Sequence, residues 1–353
     1  MSVTPVFARG RRSEWLREGR DLWERLDLLF ARIYDRIAVL RARKGPIASS
    51  AVDACIITCA MSGVAANRDQ CPAIPYTPED YAAEARRAYD AGASVVHVHA
   101  RYPDGRPSFR VQEYRAITQA ILTEVPDVIV NLSTGAVGIP IEERVHHITA
   151  LRPELGALNM GSMNYAKYSA KRKSLVFDFV FANPFADITF LLEKMNSVGV
   201  KPECECFDTG HIGNVGPLLD LELLETPVQF SLILGVLGGA PPLAPTLAHM
   251  TTLLPEPNTW EVIAISRKQW TLVAAAASLG GNVRVGLEDN FYVPSGEMAS
   301  SNGDLIDSAR RLVELSGRTI AGPVEARRLL SLPDPPDRSG FDEASPVDDK
   351  ESA

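Results

Sequence analysis

Two of the chain's six histidines stand two residues apart, in Val95-Val96-His97-Val98-His99-Ala100-Arg101. The β-branched residues around them predict a strand, and side chains on a strand alternate in direction. His97 and His99 therefore share one face, and Val96 and Val98 the other. Two imidazoles on one face at a strand end are placed to chelate a metal ion. The second cluster is Arg284-Val285-Gly286-Leu287-Glu288-Asp289-Asn290. Alternation puts Arg284, Gly286 and Glu288 on one face and Val283, Val285 and Leu287 on the other. Charged side chains at the mouth of a buried strand are costly unless they are paired or metal-bound. Glu288 can be the third ligand. Two histidines and one carboxylate leave an open coordination position, the pattern of a catalytic zinc. An internal Arg284–Glu288 ion pair is the plainer use of the same residues.

A third segment, Pro202-Glu203-Cys204-Glu205-Cys206-Phe207-Asp208, puts Glu203 and Glu205 on one face and both cysteines on the other. The Cys-x-Cys pair is thus a poor metal site. Glu205, nearer the end of its strand, is a candidate acid, base or substrate contact. His211 follows on a loop and suits either a ligand or acid role or a loop cap. Ser133-Thr134-Gly135 offers hydroxyls and backbone N–H groups to an anionic group. The glycines of Gly235-Val236-Leu237-Gly238-Gly239 suit the close approach of a phosphate or an extended cofactor, or simply a tight turn.

These segments lie on a regular series of elements. Short apolar runs near 55–60, 94–99, 128–133, 156–160, 202–206, 228–234, 260–265 and 282–287 predict eight strands. Helical periodicity follows most of them, as over 78–91, 111–124, 186–198 and 302–316. Strands alternating with helices predict a parallel sheet, and eight such units over this length fit a closed (β/α)8 TIM barrel. The competing doubly wound sheet lacks a Gly-x-Gly-x-x-Gly opening a helix after the first strand. The expected organisation is an N-terminal helical extension over 1–50, a catalytic barrel over 51–332, and an acidic, disordered tail over 333–353. Within the extension, Leu22, Leu26, Leu29, Ile33, Ile37 and Leu40 form the apolar stripe of one long helix ending at Gly45-Pro46.

The formal charge is −8 over 353 residues. Residues 1–50 carry 11 Lys+Arg against 6 Asp+Glu, and residues 333–353 carry 2 against 7. The ends cancel, so the barrel itself is acidic, which argues against a nucleic-acid surface. Five cysteines in a long chain argue against a disulfide framework. No apolar run is long enough to span a bilayer, and no secretory signal opens the chain. A cytoplasmic enzyme is expected.

Taken together the motifs resemble the β-keto acid cleavage enzymes. The resemblance runs from about Cys55 to Leu332. It rests on Ile57-Thr58-Cys59-Ala60-Met61-Ser62-Gly63, Pro75-Tyr76-Thr77-Pro78-Glu79, Gly92-Ala93-Ser94 leading into the His-x-His strand, Asn131-Leu132-Ser133-Thr134-Gly135, Leu158-Asn159-Met160-Gly161-Ser162, Leu234 with the glycine-rich loop, and the Arg284–Asn290 segment. Order and spacing both match. The resemblance implies a zinc TIM barrel, usually tetrameric. It implies a reaction that moves the CoA of acetyl-CoA onto the acyl end of a β-keto acid and releases acetoacetate. On this reading His97, His99 and Glu288 bind zinc, and acetyl-CoA is the co-substrate. Asp289 is the catalytic acid–base, supported by Arg284, with Glu205 as a further acidic residue. Ser133, Thr134, Gly135 and Asn159 bind substrate.

Zinc would stabilise charge on the keto oxygen, and Asp289 would make the acetyl-CoA carbon nucleophilic, with Arg284 lowering its pKa. Two positions depart from the aminohexanoate-cleaving members. Ala65 replaces a glutamate that helps hold a substrate amine, and Ala157 replaces a hydroxyl residue that helps hold a carboxylate. The alternatives are a metal-dependent aldolase or hydrolase that does not use CoA, and a non-catalytic ligand-binding relative.

Overall fold

The computed structural model describes residues 54–333. The expected N-terminal helical extension, and the expected acidic tail beyond Pro333, lie outside the described residues. The strands in chain order are β1 (Ala54–Cys55), β2 (Ile57–Ala60), β3 (Val95–Val98), β4 (Ile129–Ser133), β5 (Leu155–Asn159), β6 (Met163–Ser169), β7 (Ser174–Phe181), β8 (Lys201–Cys206), β9 (Val228–Leu234), β10 (Asn258–Ala264), β11 (Asn282–Val285) and β12 (Thr319–Ile320). Eight of them close a barrel in the order β10-β11-β2-β3-β4-β5-β8-β9, with every neighbouring pair parallel. Each of the eight expected strands is one of these, and the fold is a TIM barrel.

Parallel strands buried on both faces divide their side chains between helices and barrel interior. The outward set includes Cys59, Val96, Val98, Leu132, Leu158, Cys204, Cys206, Phe230, Val283 and Val285, all in the main apolar core. The helices bring matching stripes, such as Tyr81, Ala85 and Ala88 of Pro78–Ala91. That helix starts at a capping box, Thr77 with Asp80, and stops at Gly92 in the left-handed region. The Thr77 and Gly92 ends therefore fix how the chain re-enters the sheet just before His97.

The N-terminal end of the barrel is closed by the helix Pro323–Leu330. Its Ala326 and Leu330 pack with Ala54, Ile56, Val95, Ile129 and Leu155. Arg327 of this helix pairs with Glu154 at 2.6 Å. The site must then form at the other end.

One element escaped the sequence. Strands β6 and β7 form an antiparallel hairpin inserted after β5. Its turn, Ala170-Lys171-Arg172-Lys173, has none of the Gly or Asn residues that advertise a tight turn, and Lys173 itself takes a positive φ of 52°. The hairpin lies at the C-terminal end of the barrel. Its Met163 and Phe181 pack on Phe207, Ile233, Val236 and Ile263.

Candidate functional site

His97 is interior because β3 is held in register, opposite Ala60 on β2 and Asn131 on β4. His99 follows just past the strand end. Its carbonyl accepts from the Tyr81 hydroxyl at 2.6 Å and the Ser62 hydroxyl at 3.1 Å. The two rings lie edge to face with centroids 5.2 Å apart. Arg101, which the sequence reading quoted without a role, is buried. It donates to the carbonyls of Ser62, Gly63, Gly105 and Ala66, so it braces the first loop beside the histidines.

Glu288 reaches the same place from β11. Gly286 makes this geometry available: its φ is 155°, and a Cβ there would lie 2.0 Å from the Ala60 carbonyl oxygen. The Glu288 N–H then donates to that carbonyl at 3.1 Å. A Cβ at Gly63 would meet the Glu288 side chain at 2.6 Å, so two glycines clear room for one carboxylate. Leu287 points outward into the core, with its N–H on Asn302. The alternation expected for this segment is the one observed.

Glu288 lies 3.8 Å from His97 Nε2 and 3.5 Å from His99 Nε2. One ligand atom from each of the three residues falls within 4.8 Å of the others. Donors at about 2.0–2.1 Å from a tetrahedral ion sit roughly 3.3 Å apart, so little movement is needed to enclose one. His97 Nε2 and Glu288 Oε2 are buried with no hydrogen-bond partner. Orphaned buried acceptors at the centre of a cluster are what a missing cation leaves behind. The residues fit a metal ion.

Charge balance agrees. Arg284 donates to Glu288 at 2.7 Å and to both oxygens of Asp289 at 3.2 Å, and it lies 3.5 Å from Glu205. One guanidinium thus faces three carboxylates. Glu288 feels burial, but Arg284 and the two imidazoles outweigh it and hold the carboxyl well below its usual range. His97 is also driven well below the usual imidazole range, by burial and then by Arg284. The other two carboxyls go the other way. Burial raises Asp289 to about 7 and Glu205 to about 8, Glu205 also feeling Glu203. Arg284 does lower Asp289 as expected, but a guanidinium shared by three carboxylates does not overcome full burial, so the net shift is upward.

The remaining expected residues divide. Ser133, Gly135 and Asn159 converge: Ser133 Oγ accepts from the Gly135 N–H at 3.1 Å, and a Cβ on Gly135 would sit 3.4 Å from Asn159 Nδ2. Register sets Asn159 beside Glu205. Thr134 does not join them. It is fully buried and its hydroxyl donates to the Ala157 carbonyl at 2.7 Å, tying the end of β4 to β5. His211 lies not on a loop but in the short helix Thr209–Gly213, where it caps neighbouring backbone: Nδ1 accepts from the Phe207 N–H at 3.3 Å and Nε2 meets the Ser162 carbonyl at 3.4 Å. The glycine-rich loop is no open cradle. A Cβ at Gly238 would lie 1.9 Å from the Asn164 carbonyl oxygen, and one at Gly239 would lie 2.8 Å from that of Phe207. These glycines admit the hairpin and the β8 loop. Ala65 is exposed on the first loop, and Ala157 is interior, opposite Glu203.

Residues 54–332 match the sequence profile described as beta-keto acid cleavage enzyme. The chain belongs to the β-keto acid cleavage enzyme family. A relative from Fusobacterium nucleatum, 3-keto-5-aminohexanoate cleavage enzyme, is 39% identical over 278 residues, covering 78% of this chain and 97% of the relative. A second, 3-dehydrocarnitine:acetyl-CoA trimethylamine transferase of Rhizobium meliloti, is 36% identical over 297 residues, with 78% and 96% covered. Among solved structures, the binary complex of ObcA with oxaloacetate superposes with a TM-score of 0.62 at 22% identity, over 74% of this chain and 68% of that one. That likeness speaks for the fold.

Two features of this family member's site were not legible as function in the sequence. Asn131 and Glu203 lie inside the barrel and are bonded to each other. Tyr165 of the hairpin, stacked on Phe179 with centroids 5.3 Å apart, is pushed up to about 12, by burial first and then by Glu288, Asp289 and Glu205. The signal for Asn131 was its position two residues before Ser133. For Tyr165 there was none, since the hairpin was not expected.

Proposed function

We propose that this chain is a zinc enzyme that exchanges acyl groups between a β-keto acid and acetyl-CoA, yielding acetoacetate and a new acyl-CoA. The observation that carries the reading is the cluster of His97, His99 and Glu288, with orphaned acceptor atoms at its centre, beside the Arg284–Asp289 pair. The acetyl-CoA-dependent transfer in a relative's name supports the co-substrate. When bound, zinc acts as a Lewis acid on the keto oxygen and so acidifies the neighbouring carbon.

The carbon balance relocates the nucleophile. If the acetyl-CoA methyl carbon attacked the ketone, no cleavage would release acetoacetate. The keto acid's own C2 has to form the new bond. Asp289 takes the proton from C2, held by both of its oxygens on Arg284. C2 then bonds to the acetyl carbonyl carbon and the CoA thiolate leaves. The thiolate adds to the keto carbon, the C2–C3 bond breaks, and Asp289 returns its proton to the departing C2 as acetoacetate forms. Nothing is oxidised and no proton is left over. Glu205, raised by burial, serves as a hydrogen-bonding acid near the substrate. Ser133, whose Oγ is held by the Gly135 N–H, and Asn159 offer a hydroxyl and an amide to the carboxylate.

The reading includes a homo-oligomer, taken as a tetramer, working in the cytoplasm. Five free, buried thiols suit a reducing compartment, and mass in solution tests the assembly. No helix among the described residues is long and apolar enough to cross a membrane. The decisive experiment combines zinc analysis of the purified protein with acetoacetate release from a panel of β-keto acids and acetyl-CoA. Zinc with no product from any member would favour a CoA-independent aldolase or hydrolase.

A further inference from the structure

One side chain beneath the metal cluster has no part in the reaction as written. Asn131 is 1% exposed and stands opposite His97 in the β3–β4 register. Its amide nitrogen donates to Glu203 Oε2. That bond fixes which way the carboxamide is turned, a choice that is otherwise ambiguous for Asn. Oδ1 is left facing away from Glu203. Both side chains enter the barrel interior at that register position, from neighbouring strands. Yet Asn131 Oδ1 and His97 Nδ1 are both buried with no hydrogen bond of good geometry. An acceptor and a ring nitrogen, each buried without a partner, thus belong to residues paired in register on neighbouring strands.

The other end of this arrangement is closed. Glu203 Oε1 accepts from the Ser231 hydroxyl, so both of its oxygens are engaged by donors. Ser231 is itself 3.1 Å from Glu261, whose far oxygen accepts from the Thr58 hydroxyl at 2.7 Å. Glu203 cannot turn, so Asn131 cannot flip. His97 presents Nε2 toward Glu288. A histidine that ligates through Nε2 carries its one ring proton on Nδ1, and a neighbouring acceptor decides that tautomer.

We propose that Glu203, Asn131 and His97 form an orienting chain in which Asn131 Oδ1 accepts the Nδ1 proton of His97 and thereby frees Nε2 for a metal ion. Asn131 and Glu203 are positioning residues: neither touches substrate, and both act through His97. The inference rests on the reading of His97 as a ligand. It adds a reason why the strand position opposite His97 carries a carboxamide and why a buried carboxylate stands behind it.

The test uses full-length protein and two readouts. The first is the side-chain nitrogen spectrum of histidine-labelled, metal-free protein, in which Nδ1–H and Nε2–H rings differ in shift. His97 is assigned by its loss in His97→Gln. The second is zinc affinity, measured by competition with a chromophoric chelator in wild type, Asn131→Leu and Glu203→Gln. Wild type is expected to show His97 as the Nδ1–H form. Asn131→Leu, similar in volume but without the acceptor, should lose that preference and bind zinc about 10–100-fold more weakly. Glu203→Gln keeps one of two acceptors and should fall between. An Nε2–H ring in metal-free wild type would overturn the chain, as would equal zinc affinity in folded Asn131→Leu. If Asn131→Leu fails to fold, the wild-type tautomer decides alone. A wild type that binds no zinc would sink the metal reading, and the tautomer would still test the chain.

Discussion

The barrel interior is polar at two levels, and the two differ in how their polar atoms are satisfied. At the lower level, Thr58, Asn131, Glu203, Ser231 and Glu261 bond to one another, and only Asn131 Oδ1 is left over. At the upper level, His97, His99, Glu205, Arg284, Glu288 and Asp289 share one guanidinium and leave acceptors without donors. Burial is similar at both. The carboxylates are what separates them: below, every carboxylate oxygen has a hydrogen-bond partner and the bonds hold the strands in place, whereas above, Glu288 keeps an oxygen with none and is ready to take an ion. The level that would look costly on a stability argument is the one placed to do chemistry.

The largest expected effect breaks the open level outright. Replacing His97 and His99 together with Ala should abolish bound zinc and acetoacetate formation while the fold survives, because two ligands go and the bonds among Glu203, Ser231, Glu261 and Thr58 beneath are kept. Elemental analysis and circular dichroism check it. An unchanged zinc content would remove these residues from the site. Next is Asp289→Asn, which keeps the shape and one of the two contacts with Arg284 but cannot take a proton. A fall in kcat of about 10²–10⁴ is expected, the usual contribution of a general base, with zinc content unchanged. A variant that kept wild-type kcat would move the proton transfer elsewhere, Glu205 being the first place to look.

A smaller effect concerns substrate choice. At the same end of the barrel, Ile233 of β9, Ile263 of β10, Phe181 of the hairpin, and Phe207 and Val236 just past β8 and β9 form an apolar cluster. Ala65 supplies no anion for an amine. A keto acid with a neutral or apolar tail should therefore have a higher kcat/KM than its amino counterpart, by roughly 10- to 100-fold if a charge-assisted contact of about 1.5–3 kcal/mol is missing. Matched substrates differing only in tail charge give the answer. A preference for the amine would mean that Glu205 holds a cation unaided.

Where the periodicities were strong, sequence and structure agree. All eight barrel strands were legible because runs such as Val95–Val98 and Val228–Leu234 are buried on both faces. The two-residue alternation correctly sorted Glu203 and Glu205 from Cys204 and Cys206. It also brought together three metal-ligand candidates from strands far apart in sequence. Three things were not legible. The hairpin lacked a turn residue to announce it. The glycines at 238 and 239 could not reveal whether they admit a phosphate or the chain's own backbone. The Thr134 hydroxyl could not be known to be engaged by Ala157. Each depends on what lies opposite in space, and strand alternation gives only the direction in which a side chain leaves its own strand.

The subtlest prediction asks whether the lower level is as closed as it looks, and a proton count raises the question. Ser231 has one hydroxyl hydrogen and sits between two carboxyls, donating to Glu203. For its 3.1 Å contact with Glu261 to be a hydrogen bond, Glu261 must supply the proton. Burial, and then the charge of Glu203, indeed raise Glu261 to about 8, against the lowering by Thr58, Arg284 and Ser231. The unfolded chain would release this proton near the ordinary carboxyl value, about 4.3. Between that pH and about 8 the folded state therefore binds the extra proton, and stability falls as pH rises through the window. Glu261→Gln offers a carbonyl to Thr58 and an N–H to Ser231 with nothing to titrate. Its Tm relative to wild type should thus rise steadily from pH 5 to pH 8 and then level. The rise should be several degrees, at roughly 1–2 °C per kcal/mol for a chain of this size. The open level is unchanged by the substitution, so zinc affinity should stay the same. A Tm difference that does not vary with pH would mean that Glu261 is already ionised, and that the lower level balances its charges by some route other than a held proton.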